Sequence, residues 1–313
     1  MTGNDGILLA VSARSLFDLK YETGILNRSG LEEYRRYQSS HRNKALKPGV
    51  AYRFVQRMLA LNSISSGDSP LVELAIVSHM DPDTGCRMMQ SLAPLNLDAR
   101  ISIFTSGGDV TRYLRGMGTG LYLSMNPDSV RSAIDAGLPA GHIMTKRPIT
   151  EHDTDDGEIR VAFDFDGCIG SDSSEAVFRD GGLDAFNHHE EDNVLLPIDP
   201  GPMFPFIKAL SSIQHREQEY GKEHADYVPR LKIGIITARN ARAGIRVMNT
   251  LDSWGISLDD AFYMGGHDKT SVLESYHPHL FLDDNPSNVN GARTTVTSVH
   301  VPFGVVNDGR DAE

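Results

Sequence analysis

The chain has 313 residues, a formal charge of −12 and an apolar fraction of 40%. That length and apolar content support two cores of ordinary domain size. The acidic balance excludes nucleic acid as a bulk electrostatic partner, but not a small phosphorylated substrate whose charge a local cation would offset. The two cysteines, Cys86 and Cys168, are too few for a disulfide framework and fit a reducing cytoplasm. The start, Met1-Thr-Gly-Asn-Asp-Gly6, lacks a basic region, so no signal peptide is expected. No apolar run approaches the roughly 20 residues of a membrane span. A cytoplasmic protein without membrane or nucleic-acid partners is the expectation.

In chain order, Ile7 to Val11 reads as a buried strand and Leu31 to Tyr37 as a helix. Pro48-Gly49 breaks the chain. Tyr52 to Leu61 reads as a helix with Phe54, Val55, Met58 and Leu61 on one face. Leu71 to Val77 is a second strand, followed by a helix around Thr84 to Leu92. Short strands follow at Ile101 to Phe104, at Leu121 to Leu123 and around Ile143-Met144, with a helix starting at Asn126-Pro127. Residues 151–158 are acidic and nearly devoid of apolar side chains, which marks a linker. The expected domains are therefore 1–150 and 159–313.

The second part repeats the first. At a shift of 152, Ile7 to Ala10 lies on Ile159 to Ala162, Gly30-Leu31 on Gly182-Leu183, Pro48-Gly49 on Pro200-Gly201 and Phe54 on Phe206. Beyond residue 71 the shift becomes 159, consistent with a longer polar loop at 215–229. From Ser78 to Val130, 13 of 53 ungapped positions are then identical, where ordinary composition gives roughly 3 to 4. Each half reads as a strand–helix unit, so a doubly wound, mostly parallel α/β sheet is predicted.

Four stretches of the second half carry chemistry. Asp164-Phe-Asp-Gly167 follows an apolar strand, and Lys232 to Arg239 is a strand ending in Thr237. Gly265 to Thr270 is a glycine-rich loop carrying Lys269, and Leu280 to Asn285 is a strand ending in Asp283 and Asp284. Carboxyl ends of parallel strands share one edge, where ligands bind. Phosphoryl transfer needs a nucleophile, charge neutralisation and proton delivery. In that reading Asp164 is the nucleophile and Asp166 the acid/base. Lys269, Thr237 and the N–H groups from Ala238 onward bind phosphate. Mg²⁺ would be held by Asp164, Asp283, the backbone carbonyl of Asp166, and Asp284.

The four stretches resemble the four motifs of the haloacid dehalogenase superfamily of phosphatases. Over nearly the whole chain the sequence is similar to the cytosolic 5'-nucleotidase type I family. That similarity is carried by Phe163 to Gly167 with Ser171 to Glu175, Gly182 to Phe186, Ile236 to Arg239, Phe262 to Lys269, Phe281 to Asp284 and His300 to Gly304. In the first half Val11 to Asp18 and Tyr34 to Tyr37 carry it. The first motif departs from the Asp-Gly-Asp-Ala of the family and has the commoner superfamily form. The resemblance implies Mg²⁺-dependent hydrolysis of nucleoside 5'-monophosphates, AMP preferred, through an aspartyl-phosphate. It also implies a cap inserted at about 168–230, with Phe178, Phe186, His188, His189 and Asn193 as candidate substrate contacts. A phosphatase for another small phosphate, such as a sugar phosphate, and a non-catalytic nucleotide sensor are the alternatives.

Under the two shifts Asp164 falls on Ser12, Asp166 on Arg14, Thr237 on Ser78, Lys269 on Val110, Asp283 on Ser124 and Asp284 on Met125. The first half is thus expected to be a catalytically degenerate copy, structural or regulatory. Ser12, Arg14 and Ser78 would suit an anion such as a nucleotide effector, because the repelling carboxylates are gone. A homo-oligomer is compatible with the sequence.

Overall fold

The computed structural model describes residues 6–65, 69–148 and 156–307; residues 151–155 of the expected linker lie outside them. Twelve strands occur among the described residues: β1 (Ile7–Val11), β2 (Phe17–Asp18), β3 (Lys47–Pro48), β4 (Val72–Ser78), β5 (Ile101–Phe104), β6 (Leu121–Ser124), β7 (Ala140–Ile143), β8 (Ile159–Phe163), β9 (Leu231–Thr237), β10 (Asp260–Tyr263), β11 (Leu280–Asp283) and β12 (Ser298–His300). All but the small β2–β3 pair form one ten-stranded sheet, in the order β10-β9-β8-β11-β12-β7-β6-β1-β4-β5. Every neighbouring pair is parallel except the central one, β12 with β7, where Val299 faces Ile143 and His300 faces His142.

The order is the same in both halves when each is read in chain sequence. The first strand sits in the middle, the next two on one side and the last two on the other. Right-handed crossovers from such an order cover both faces of the sheet with helices. The buried strands read as unbroken apolar runs, as in Ile159 to Phe163. The antiparallel seam turns the two halves head to tail. The carboxyl ends of β1, β4 and β6 open on one edge, and those of β8, β9 and β11 on the opposite edge.

Helices start where their caps and prolines dictate. Asp81, Asn126 and Asn285 cap the helices Pro82–Leu92, Pro127–Asp135 and Pro286–Ala292, each with proline in the first turn. Phe54, Val55 and Met58 of Tyr52–Ala60 are buried, as their spacing requires. The predicted helix at Leu31 is one arm of a longer element, Lys20–Ser40, bent at Gly30 (φ 81°, ψ 179°). Its counterpart Ser173–Asp192 bends at Gly182 (φ 72°, ψ −169°). Each half thus carries a helical hairpin above its strand ends.

Two expectations change. The polar loop expected at 215–229 is largely helix. Phe204–Glu223 is a 20-residue helix, where the first half has the nine residues of Tyr52–Ala60. Its buried face is Phe206, Ile207, Leu210, Ile213, Gln214 and Glu217, and its outer face is polar enough to read as loop. This helix packs on β9. It is a sheet crossover, so the segment free to act as a cap narrows from 168–230 to about 170–200.

Tertiary anchors repeat along with the strands. Arg87 Nε donates to Lys44 O at 2.9 Å, and Arg246 Nε to Leu196 O at 2.9 Å. Ser91 Oγ donates to Arg87 O at 2.7 Å and accepts from Leu46 N at 3.0 Å. Thr250 Oγ1 does the same with Arg246 O at 2.7 Å and Ile198 N at 3.1 Å. One apolar cluster runs from Ile7 to Val301 through both halves. Helix Tyr52–Ala60 touches β8, and helix Phe204–Glu223 touches β1.

The shared cluster and the paired anchors set an expected outcome. Ser91→Ala and Thr250→Val each leave a buried N–H without its acceptor and should each cost about 1–3 kcal/mol. Urea unfolding followed by fluorescence and circular dichroism should give one transition for both variants, with no half melting separately.

Candidate active site

The site lies at the carboxyl ends of β8, β9 and β11, at the crevice where the strand order reverses. Asp164 follows β8 and is 7% exposed; Asp283 ends β11 and is fully buried; Asp284 is 4% exposed. Carboxylate oxygens of these three lie within 4.8 Å of one another. Lys269 is carried in by a loop laced to the end of β9: Met264 N donates to Thr237 O, Gly265 N to Arg239 O and Gly266 N to Ala238 O. Its Nζ lies 2.7 Å from Asp283 Oδ2 and 2.9 Å from Asp164 Oδ1.

Asp283 is well supplied with donors. Asn285 N donates to its Oδ1 at 2.7 Å and Asn288 Nδ2 to its Oδ2 at 3.0 Å. Asp164 is not. The Lys269 ammonium reaches Asp164 Oδ1 as an ion-pair contact off the hydrogen-bond direction, and that buried oxygen has no hydrogen-bond partner among the described residues. Gly167 (φ 66°) takes the third place of the turn that follows Asp164, and a Cβ there would stand 2.2 Å from Asp284 Oδ2. Glycine is needed for both reasons.

Asp166 sits apart from the other three. Both its oxygens accept from Arg239, Oδ2 from Nε and Oδ1 from Nη2, at 2.7 Å each. Thr237 is buried, and its Oγ1 accepts from Arg239 N at 3.2 Å. Ala238, next to it, is exposed at the strand end.

A match to the 5'-nucleotidase family model extends over residues 1–308. The chain belongs to the 5'-nucleotidase family. It is also similar to cytosolic 5'-nucleotidase 1B of Homo sapiens, at 29% identity over 295 residues, covering 92% of this chain and 47% of that protein. The chain therefore spans about half the length of that relative. Among the described residues no helix is long and apolar enough to cross a membrane.

The candidate substrate contacts divide around these carboxylates. Phe186 is buried, with its ring 5.3 Å from the Arg239 guanidinium carbon and 6.2 Å, edge-on, from Phe178. Phe178 itself is exposed. The histidines make local contacts: His188 Nδ1 lies 2.8 Å from Asp184 O, and Nδ2 of the C-cap residue Asn193 lies 2.8 Å from His189 O and 3.4 Å from His189 Nδ1. Helical spacing of four explains both pairs. In the first half, Ser12, Arg14 and Ser78 do come together, around a cavity of about 310 Å³ shared with Ser124 and Met125.

Sequence reading did not single out Arg239, Glu190, Arg246 or Glu175. Glu190 is buried between the two arginines: Arg246 Nη1 donates to its Oε1 at 2.9 Å, and Arg239 Nη1 to its Oε2. Burial, then the Asp166 charge, raises the Glu175 pKa, which places that carboxyl close to the site. The available signal was the repeat itself, because Arg246 aligns with Arg87 as an identity.

The charges do not balance. Asp164, Asp283 and Asp284 share the single Lys269 ammonium. Burial pushes the Asp164 carboxyl up to about 7 against the pull of Lys269. Burial and the neighbouring Asp164 charge push Asp284 to about 9. An all-oxygen, anionic and partly unsatisfied donor set fits a hard divalent cation. Without such a cation the folded chain holds protons that the unfolded chain releases between the ordinary carboxylate pKa and about 9, so stability falls as pH rises through that window. A bound cation favours the ionised set. The rise in melting temperature produced by millimolar Mg²⁺ is therefore expected to grow from pH 6 to pH 9 and to shrink in Asp283→Asn. Thermal scans across that pH series check it.

Proposed function

We propose that this chain is a Mg²⁺-dependent 5'-nucleotidase that hydrolyses nucleoside 5'-monophosphates, AMP foremost, in the cytosol. The observation that carries the reading is Asp164, a buried carboxylate at a strand end with one unsatisfied oxygen beside Lys269, in a chain of this family. Its second half is read as a haloacid dehalogenase-type catalytic unit with the hairpin Ser173–Asp192 as cap, and its first half as a degenerate copy.

In this mechanism an Asp164 oxygen attacks phosphorus and the ester P–O bond breaks. The electron pair stays on the leaving oxygen, which takes a proton from Asp166. Water then gives a proton to Asp166 and attacks the same phosphorus, the bond to Asp164 breaks, and phosphate leaves. Lys269 and Thr237 hold the phosphoryl oxygens through charge and a hydroxyl donor. Mg²⁺ at Asp164, Asp283, Asp284 and the Asp166 carbonyl would supply the charge that lets a carboxylate meet a phosphate dianion. Phe186 and Phe178 support base stacking from the cap.

Asp164→Asn should lower turnover by about 10³-fold or more while the protein still folds. A panel of mononucleotides against sugar phosphates, assayed for phosphate release with Mg²⁺, tests the substrate class. Preference for sugar phosphates would refute the nucleotidase reading.

The first-half cavity is proposed as a nucleotide effector site. Its support is that Arg14 makes no ion pair among the described residues and that Arg14, Ser12 and Ser78 line one cavity. Calorimetric titration of the full chain with a nucleoside diphosphate should give heat that Arg14→Ala reduces at least about tenfold in affinity, in line with the loss of a charged phosphate contact. Equal titrations would refute it.

A further inference from the structure

Arg239 is held on every side. It is 3% exposed. Two of its nitrogens grip both oxygens of Asp166 at 2.7 Å, and its Nη1 donates to Glu190. Its guanidinium carbon lies 5.4 Å and 5.3 Å from the rings of Phe165 and Phe186. Glu190, 2% exposed, belongs to the second arm of the helical hairpin, beyond Gly182. It also accepts from Ser174 Oγ of the first arm at 2.7 Å and from Arg246 Nη1 at 2.9 Å. One buried chain of charge thus runs from the hairpin to Asp166.

The first half separates the two tasks this chain of contacts could serve. Arg87 stands where Arg246 does, Gln38 where Glu190 does, and Glu22 where Ser174 does. Arg87 Nη1 donates to Gln38 Oε1 at 3.0 Å and to Glu22 Oε1 at 2.9 Å, fastening that hairpin in the same way. In the first half the anchoring carboxylate therefore comes from the first arm, as Glu22, and the second arm supplies only the neutral amide of Gln38. The position of Arg239 is Met80, and that of Asp166 is Arg14. Four positions differ together between the copies, Asp166, Arg239, Glu190 and Ser174, while the anchoring arginine is kept. Anchoring calls for one carboxylate beside the arginine, and the first half places it at 22; it does not call for that carboxylate at 190 or for an arginine at 239.

We propose that Arg239 is a positioning residue for Asp166, and that Glu190 ties that position to the helical hairpin. This rests on the phosphatase reading above. A bidentate guanidinium fixes both the plane and the direction of a carboxylate. The hairpin, through Glu190, fixes the guanidinium. Asp166 is then aimed at the leaving oxygen only while the hairpin sits in this place.

The test compares leaving groups. kcat/KM covers the steps through ester cleavage, so it is measured for AMP and for p-nitrophenyl phosphate, whose leaving oxygen needs no proton. Wild type, Arg239→Met, Glu190→Gln and the double variant, the last carried with Ser174→Glu, are assayed. With Ser174→Glu supplying the carboxylate, the double variant recreates the set with which Arg87, Glu22, Gln38 and Met80 already fold, so it should melt within a few degrees of wild type even if Arg239→Met alone does not fold. Arg239→Met and the double variant should lose on the order of 10²-fold on AMP and less than about threefold on p-nitrophenyl phosphate. Glu190→Gln should show the same pattern at about tenfold. A folded double variant that loses equally on both substrates, or on neither, overturns the proposal. Wild type inert toward both esters overturns the phosphatase reading itself, and the proposal with it.

Discussion

Three carboxylates buried at the ends of two adjacent strands share one lysine, and the arrangement of the second half follows from that imbalance. Buried anions persist only when paired, hydrogen-bonded or matched by a cation. Asp283 meets the demand with Asn285 N, Asn288 and Lys269. Asp164 and Asp284 do not, and their protons are held more tightly as a result. Asp166, two residues from Asp164, is taken out of this pool by Arg239. Two aspartates on one short stretch thus have separate counter-ions, Lys269 for one and Arg239 for the other. That separation is what a nucleophile and its proton partner require, since each must keep its own geometry.

The repeat acts as a control inside one molecule. The strand order, the helix caps Asn126 and Asn285, the hairpin bends at Gly30 and Gly182 and the anchors Arg87 and Arg246 occur in both halves. These features therefore serve folding. The carboxylates, Lys269 and Arg239 occur only in the second half. They serve the site, and their charge is tolerated there because the surrounding hydrogen bonds are specific to it. At the equivalent positions of the first half, serines and Met125 surround Arg14 at a cavity that carries no buried acid cluster among the described residues.

Much of this was legible in the chain. Apolar runs such as Leu231 to Ile236 and strand-end acids such as Asp283 announce themselves, because burial and charge are both local properties of sequence. Partnership across the chain is not local. Arg239 meets Glu190 across 49 residues and Asp166 across 73, and no spacing rule links them. Helix Phe204–Glu223 was hidden in part by its own polar outer face. The identity of Gly182 with Gly30 was visible, but its meaning was not. Only the backbone shows that both residues turn a helix into a hairpin. His188 and His189, expected as substrate contacts, make local helical contacts with Asp184 and Asn193 that spacing alone foretells.

The antiparallel seam between β7 and β12 decides how the two edges can communicate. It places the carboxylate crevice and the Arg14 cavity at opposite edges of one sheet, so no small ligand could span both. His300 is where the seam and the site meet. It pairs in register with His142 across the seam. Its Nε2 lies 3.0 Å from the carbonyl oxygen of Asp284, to which it donates. A shift of one half against the other would move that donor relative to the backbone that carries Asp284. The reciprocal contacts of Tyr52–Ala60 with β8 and of Phe204–Glu223 with β1 oppose such a shift, and the apolar cluster that both halves share makes it costly in both directions. The packing therefore holds the two halves in one register and opposes a continuous slide of one against the other.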